Sequence, residues 1–253
     1  MAAAQSESQK LLILGGTREA VALAGRLAED ARLAVITSLA GRTREPATAA
    51  GALRVGGFGG AAGLAAYLAR DSISLLIDAT HPFAARMAAN AAQACAEAGV
   101  PRLKLLRPAW RAVENDNWID VSDMAAAVEA VSGNGTRAFL SVGRQDLSAF
   151  AGLDGIWFLV RSIEALEVPC PLANCAVIQG RGPFTETAEL VLLEEHRIDL
   201  LVSKNSGGEA TSAKIAAARR LGLPVVMIAR PPAPAGETVE TVDEAVAWVA
   251  ART

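Results

Sequence analysis

KLLILGGTREAVALA, residues 10–24, is the stretch on which the reading of this chain turns. A short apolar run, Leu11 to Leu14, meets Gly15 and Gly16. A polar trio follows, Thr17, Arg18 and Glu19, and apolar residues then return at helical spacing. This order predicts a buried strand, a tight turn and the start of a helix. Gly15 can make the turn. Gly16 has no Cβ, so a phosphate can come close to the backbone while the first amides of the helix point at it. The stretch is a candidate phosphate cradle, although the third glycine of the dinucleotide fingerprint G-x-G-x-x-G has no counterpart. A plain strand-to-helix turn is the competing reading.

Working outward, a helix is expected to run to about Asp30, and LAVIT (Leu33 to Thr37) reads as a second buried strand. A site built for NAD would carry an acidic residue at its end for the ribose 2′-hydroxyl. Here the chain has Ser38, then Gly41, Arg42 and Arg44. A hydroxyl, a glycine turn and arginines suit a 2′-phosphate, because guanidinium makes forked, charge-assisted contacts to phosphate oxygens; a solvated basic loop is the alternative. Next come Leu53 to Val55 and the cluster Gly56-Gly57-Phe58-Gly59-Gly60. That much backbone freedom suggests close approach to a ligand with Phe58 as an apolar cover, or else a flexible surface loop. After a helix to Arg70, the strand Ile73 to Ile77 runs into Asp78-Ala79-Thr80-His81-Pro82-Phe83. Thr80 is placed to cap a helix over Phe83 to Ala98, which ends at Gly99. In a doubly wound sheet the loop after such a strand lies at the edge where ligands bind.

The chain also repeats itself. Ile73 to Pro108 reads strand, polar loop, alanine-rich helix, Gly-Val-Pro, strand, Arg-Pro; Ile198 to Pro231 repeats the order with Gly-Leu-Pro and again Arg-Pro. Gly16-Thr17-Arg18-Glu19 is echoed by Gly143-Arg144-Gln145-Asp146. Two related α/β halves with a cleft between them are expected, though all βαβ units share some of this grammar. Ser132-Gly133-Asn134-Gly135 is the expected join, giving a first domain over 1–132 and a second over 133–253. Trp110 and Trp118, in an edge strand or lid, read as packing residues. In the second half, strands over Ala138 to Val142, Ile156 to Val160 and Ala176 to Ile178 precede the strand that opens into Ser203-Lys204-Asn205-Ser206-Gly207-Gly208, with Thr211 and Lys214 beyond. Free amides at a helix start plus a lysine make a receptor for carboxylate or phosphate. The P-loop pattern is absent. A last helix is expected over Val242 to Ala251.

Composition narrows the function classes. Of 253 residues, 24 are basic and 27 acidic, for a net charge of −3; this argues against a general nucleic-acid binder, which needs a broad basic field. Mean hydropathy is +0.29, but alanine inflates it and no apolar run approaches the ~20 residues that span a bilayer. With no leader-like segment, a cytoplasmic protein is expected. The three cysteines lack C-x-x-C spacing and there are only two histidines, so no metal site is expected.

The motifs ILGGTREA (13–20), SLAGRT (38–43), RVGGFGG (54–60), DATHPFA (78–84), SVGR (141–144), GRGPF (180–184) and VSKNSGG (202–208), in this order, resemble the precorrin-6A reductases of cobalamin biosynthesis. The resemblance covers Leu11 to Pro231. It implies two Rossmann-like parallel-sheet α/β domains, with NADPH held mainly by the first and the tetrapyrrole precorrin-6A in the cleft, reduced to precorrin-6B by hydride transfer. On that basis Gly15, Gly16 and Thr17 would take the pyrophosphate and Ser38 and Arg42 the 2′-phosphate. Gly57, Phe58, Thr80 and His81 would line the cofactor's path. The substrate is a polycarboxylate, so Arg144, Lys204, Ser206, Gly207, Thr211 and Lys214 are its natural receivers. His81, titratable near neutrality, is the candidate proton donor, with water as the alternative. No nucleic-acid or membrane partner is expected, and the chain would be a monomer or weak homo-oligomer. The cobalt-precorrin-6A reductases of the anaerobic route share these motifs. A cofactor-free two-domain tetrapyrrole lyase or cyclase and a non-catalytic nucleotide sensor are the competing classes.

Overall fold

The computed structural model describes residues 8–41, 50–163 and 169–253. It contains two compact units, residues 1–107 with 232–253, and residues 108–231. Each is built on a six-stranded sheet whose pairings are all parallel.

In the first unit the chain runs β1 (Gln9–Leu14), α1 (Arg18–Leu27), β2 (Leu33–Leu39), β3 (Ala52–Val55), α2 (Ala61–Arg70), β4 (Ile73–Asp78), α3 (Ala85–Ala98) and β5 (Arg102–Leu105). The second unit contains β6 (Asn117–Val121), α4 (Met124–Asn134), β7 (Arg137–Ser141), a 3₁₀ turn (Arg144–Phe150), β8 (Trp157–Ser162), β9 (Cys175–Gln179), α5 (Glu186–Glu195), β10 (Leu200–Lys204), α6 (Ala213–Arg220) and β11 (Pro224–Ile228). The chain then returns to the first unit as β12 (Glu237–Val239) and α7 (Val242–Ala250). Among the described residues no helix is long and apolar enough to cross a membrane.

The strand order of the first sheet is β12-β5-β4-β1-β2-β3, and that of the second is β6-β11-β10-β7-β8-β9. The two are the same doubly wound pattern. Central strands read as continuous apolar runs because both faces of a parallel sheet are covered: Leu11, Leu12, Ile13 and Leu14 are all buried. On one face Leu11 and Ile13 pack with Leu23 and Leu27 of α1 and Trp248 and Val249 of α7. On the other, Leu12 and Leu14 pack with Leu64 and Leu68 of α2 and Ala91 and Ala94 of α3.

The boundary differs from the expected one. Residues 132–135 are not a join, because α4 runs through Ser132 to Asn134. The chain passes from one unit to the other at Arg107-Pro108 and again at Pro231-Pro232. The sixth strand and its helix in each unit therefore come from the other repeat: β6-α4 follows β5 but pairs with β11, and β12-α7 follows β11 but pairs with β5. Both Arg-Pro echoes of the sequence mark these crossings.

Candidate functional site

In the first sheet the order of connection reverses between β1 and β4. Ligands of doubly wound sheets bind at the carboxyl ends of the strands at such a point. Gly15, Gly16 and Thr17 leave β1 there, and Ala79, Thr80 and His81 leave β4. The Gly15 N–H donates to the Ser38 carbonyl at 2.9 Å; a Cβ on Gly15 would press on Thr37 Cγ2 at 3.1 Å and Leu39 Cδ2 at 3.2 Å. Gly16 has φ +108° and open space where a Cβ would stand, the geometry a close-lying anion needs. Thr17 caps α1, its Oγ1 accepting the Ala20 N–H at 3.1 Å and donating to the Ala79 carbonyl at 2.8 Å. These residues fit a dinucleotide pyrophosphate at a helix N-terminus.

Ser38 is buried near the end of β2. Arg54 on β3 reaches it with Nη1 at 3.3 Å and also donates to the carbonyls of Gly56 at 2.6 Å and Gly57 at 2.8 Å. Its guanidinium lies 3.8 Å from the centre of the Phe58 ring, and Tyr67 meets that ring edge-on. One arginine thus shapes the 56–58 loop beside the Ser38 hydroxyl. Arg42 lies outside the described residues.

Thr80 does not cap the following helix. Its hydroxyl donates to Asp78 Oδ1 at 2.6 Å, and α3 begins later, after Ala84, without a side-chain cap. Asp78 and Lys104 are buried together at 3.0 Å; burial pulls the Lys104 ammonium below its ordinary range, while the Asp78 charge opposes that. His81 is exposed, and its Nδ1 accepts the Phe83 N–H at 3.2 Å, which leaves the imidazole proton on Nε2. Arg107, at the end of β5, pairs with Glu19 at 2.8 Å. A cavity of about 320 Å³ lined by Arg26, Asp30, Leu33, Val249 and Thr253 opens at the amino edge of the sheet, away from these residues.

In the second unit the reversal falls between β7 and β10. Arg144, exposed, opens the 3₁₀ turn, and Lys204 is bound to the Asp146 carboxylate. Asn205 and Trp110 clasp each other, the Trp110 N–H donating to Asn205 Oδ1 at 2.8 Å and the Asn205 amide to the Trp110 carbonyl at 3.0 Å. Trp110 Nε1 donates to the Gly208 carbonyl at 3.0 Å and Arg230 Nε to the Asn205 carbonyl at 2.7 Å. Trp110 packs against the second unit's core, as expected, and also ties Asn205 and Gly208 together. Gly207 has φ +65°, and any Cβ would strike the Pro108 carbonyl, so its first duty is backbone fit. Ser206 is buried. Thr211 ends a short 3₁₀ turn, and its carbonyl accepts from Lys214 Nζ at 2.7 Å. Lys214 is itself buried, which pulls its ammonium down to about 7. Both lysines thus have protein partners, Asp146 for Lys204 and the Thr211 carbonyl for Lys214.

The family model for precorrin-6x reductase CbiJ/CobK matches residues 10–250. The chain belongs to the precorrin-6x reductase family. It is 48% identical over 241 residues to a precorrin-6A reductase of Rhodococcus erythropolis, covering 95% of this chain and 97% of that one. A solved CobK precorrin-6A reductase superposes with a TM-score of 0.91 at 43% identity, covering 96% of each chain. A cobalt-precorrin-6A reductase of Methanothermobacter thermautotrophicus is 32% identical over 247 residues, covering 90% of this chain and 78% of that one.

Sequence reading did not single out Arg54 or Lys104. Arg54 stood in a quoted motif, RVGGFGG, but only the β2–β3 pairing of Ser38 with Arg54 brings its side chain to the hydroxyl. Lys104 carried no local signal. It reaches Asp78 because β4 and β5 place the two directly side by side.

Proposed function

We propose that the chain reduces precorrin-6A to precorrin-6B by hydride transfer from NADPH. The observation that carries this reading is the capped N-terminus of α1 at the reversal of the first sheet, with the open face of Gly16 before it. The first amides of α1 receive the pyrophosphate. Ser38, Arg54 and Arg42 receive the 2′-phosphate, with Arg54 also holding Gly57 and Phe58 against the adenosine half. Bound NADPH supplies the hydride; orientation and exclusion of water are the protein's part.

Thr80 and His81 lie toward the nicotinamide end. The proton for the neighbouring carbon comes from His81 as the imidazolium, with Nδ1 released from the Phe83 N–H, or from water. Arg144, Lys204, Ser206 and Thr211 receive the acid arms of the macrocycle, and Gly207 lets the loop turn beneath them. Lys214, being buried, serves them by holding the Thr211 carbonyl. Higher identity to the precorrin-6A relative than to the cobalt-precorrin-6A one favours the metal-free substrate. We place the reaction in the cytoplasm, carried out by a monomer or weak homo-oligomer.

Incubation with NADPH and either precorrin-6A or its cobalt form tests the proposal, followed by coenzyme oxidation and the pigment spectrum. Rapid turnover of the metal-free substrate, with NADPH preferred to NADH, is expected. Turnover of the cobalt form alone would move the chain to the anaerobic route, and pigment binding without coenzyme affinity would favour a lyase or cyclase.

A further inference from the structure

The Asp78 and Lys104 pair is buried almost completely. Taking two charges out of water costs more than their mutual attraction commonly returns, and well-packed uncharged residues often serve a fold better. The second sheet has no such pair at the corresponding place. In the first sheet Leu14 stands beside Asp78 and Asp78 beside Lys104. In the second, Ser141 stands beside Ser203 and Ser203 beside Met227. Leu14 and Ser141 each precede by two residues the glycine that opens the turn, Gly16 or Gly143, so Ser203 and Met227 are the counterparts of Asp78 and Lys104. The same architecture closes there with a hydroxyl and a thioether.

What the pair touches differs from what the sheet needs. Asp78 Oδ1 accepts the Thr80 N–H at 3.0 Å and the Thr80 hydroxyl at 2.6 Å. Lys104 Nζ lies 3.3 Å from Thr80 Oγ1 and 3.4 Å from the Thr80 carbonyl. The preceding carbonyl, Ala79, is held by Thr17 Oγ1, which also caps the first turn of α1. A continuous chain of contacts therefore runs from Lys104 through Asp78 and Thr80 to Thr17, tying together the two loops that leave β1 and β4. Asp78 Oδ2 is buried with no hydrogen-bond partner, an uncompensated desolvation cost.

We infer that Asp78 and Lys104 are positioning residues for hydride transfer, locking the 79–81 loop to the N-terminus of α1 so that coenzyme and His81 are held in one register. The inference rests on the coenzyme reading above. Asp78→Ser combined with Lys104→Met, which installs the second sheet's own pair, tests it directly. The variant is expected to fold with a thermal midpoint no lower than wild type. Its single-turnover hydride transfer to precorrin-6A should fall by about 10- to 100-fold, the range a misplacement near 1 Å produces, with KM for precorrin-6A unchanged. Asp78→Asn combined with Lys104→Met keeps an acceptor for the Thr80 N–H and hydroxyl and should restore most of the lost rate.

A swapped variant that fails to fold shows that the fold needs the pair, and overturns the inference. A stable swapped variant with wild-type kcat overturns it too. Equal losses in the two variants assign the effect to charge and overturn the locking role. NADPH titration of the wild-type chain separates the two levels of argument: no binding there defeats the coenzyme reading, whereas normal binding with an unaffected swapped variant defeats only the positioning role.

Discussion

The two units use one strand order and put different chemistry at the same corner. After β1 the first unit has Gly16-Thr17 and a 10-residue α-helix capped by the Thr17 hydroxyl. After β7 the second has Gly143-Arg144 and a seven-residue 3₁₀ turn without a side-chain cap. Aligned amides at an α-helix start concentrate partial positive charge on one anion, whereas a 3₁₀ turn has poorer hydrogen-bond geometry and builds little of that field. The first corner suits a fixed pyrophosphate. In the second, the exposed Arg144 supplies a cation where the backbone field is weak. Buried charge is divided in the same uneven way. It lies under the loop after β4 in the first unit, and in the second as Arg161 and Glu189 at 2.8 Å beside buried Lys214.

Substitution at the two glycines is the strongest test of this contrast. Gly16→Val places a β-branched residue at φ +108°, where it is strained and fills the space left for phosphate. NADPH affinity, read by fluorescence quenching, should fall by about 100-fold, beyond the reach of one lost hydrogen bond. Gly143→Val, at φ +90°, should weaken precorrin-6A binding and leave the coenzyme alone. Equal coenzyme losses in both variants would break the comparison.

Arg54→Ala should reduce the preference for NADPH over NADH by about tenfold, the scale of one charge-assisted contact to the 2′-phosphate. Titration with both coenzymes decides it: a loss shared equally by NADH would give Arg54 a role in loop shape only. Arg42→Ala, measured alongside, sharpens the division between the two arginines.

Lys214→Met should show the smallest change, and only against pH. The folded state lets go of the Lys214 proton near pH 7, while the unfolded chain keeps it up to the ordinary lysine range. The burial penalty is therefore complete below pH 7 and is relieved as pH rises above it. The wild-type folding constant should gain about fivefold between pH 7 and pH 8 relative to Lys214→Met, measured by denaturant unfolding. A parallel pH response in the two chains would show that Lys214 is not the group responsible.

Much of the architecture was legible along the chain. Strand, turn and helix at residues 10–27 come from local pattern and hydrophobic period, so β1 and α1 form where expected. The repeat was legible as well, because its marks, the Gly-x-Pro turns and Arg-Pro pairs, are local. The expected cap at Thr80 failed for a physical reason: its hydroxyl had a stronger acceptor in the Asp78 carboxylate. The partner of Lys204 was not legible, because Asp146 meets its ammonium from another loop.

By itself the amino-acid order settled the class of sheet, the two-fold repetition and the family, since each depends on residues within one short stretch or on their succession. Tertiary structure alone decided which sheet β6 and β12 join. Short edge strands carry no local mark of their partner, and parallel pairing is chosen by segments far apart in the chain. It alone also brought Lys104 to Asp78 and Arg54 to Ser38, contacts made across neighbouring strands, where register and not sequence distance determines what a side chain meets.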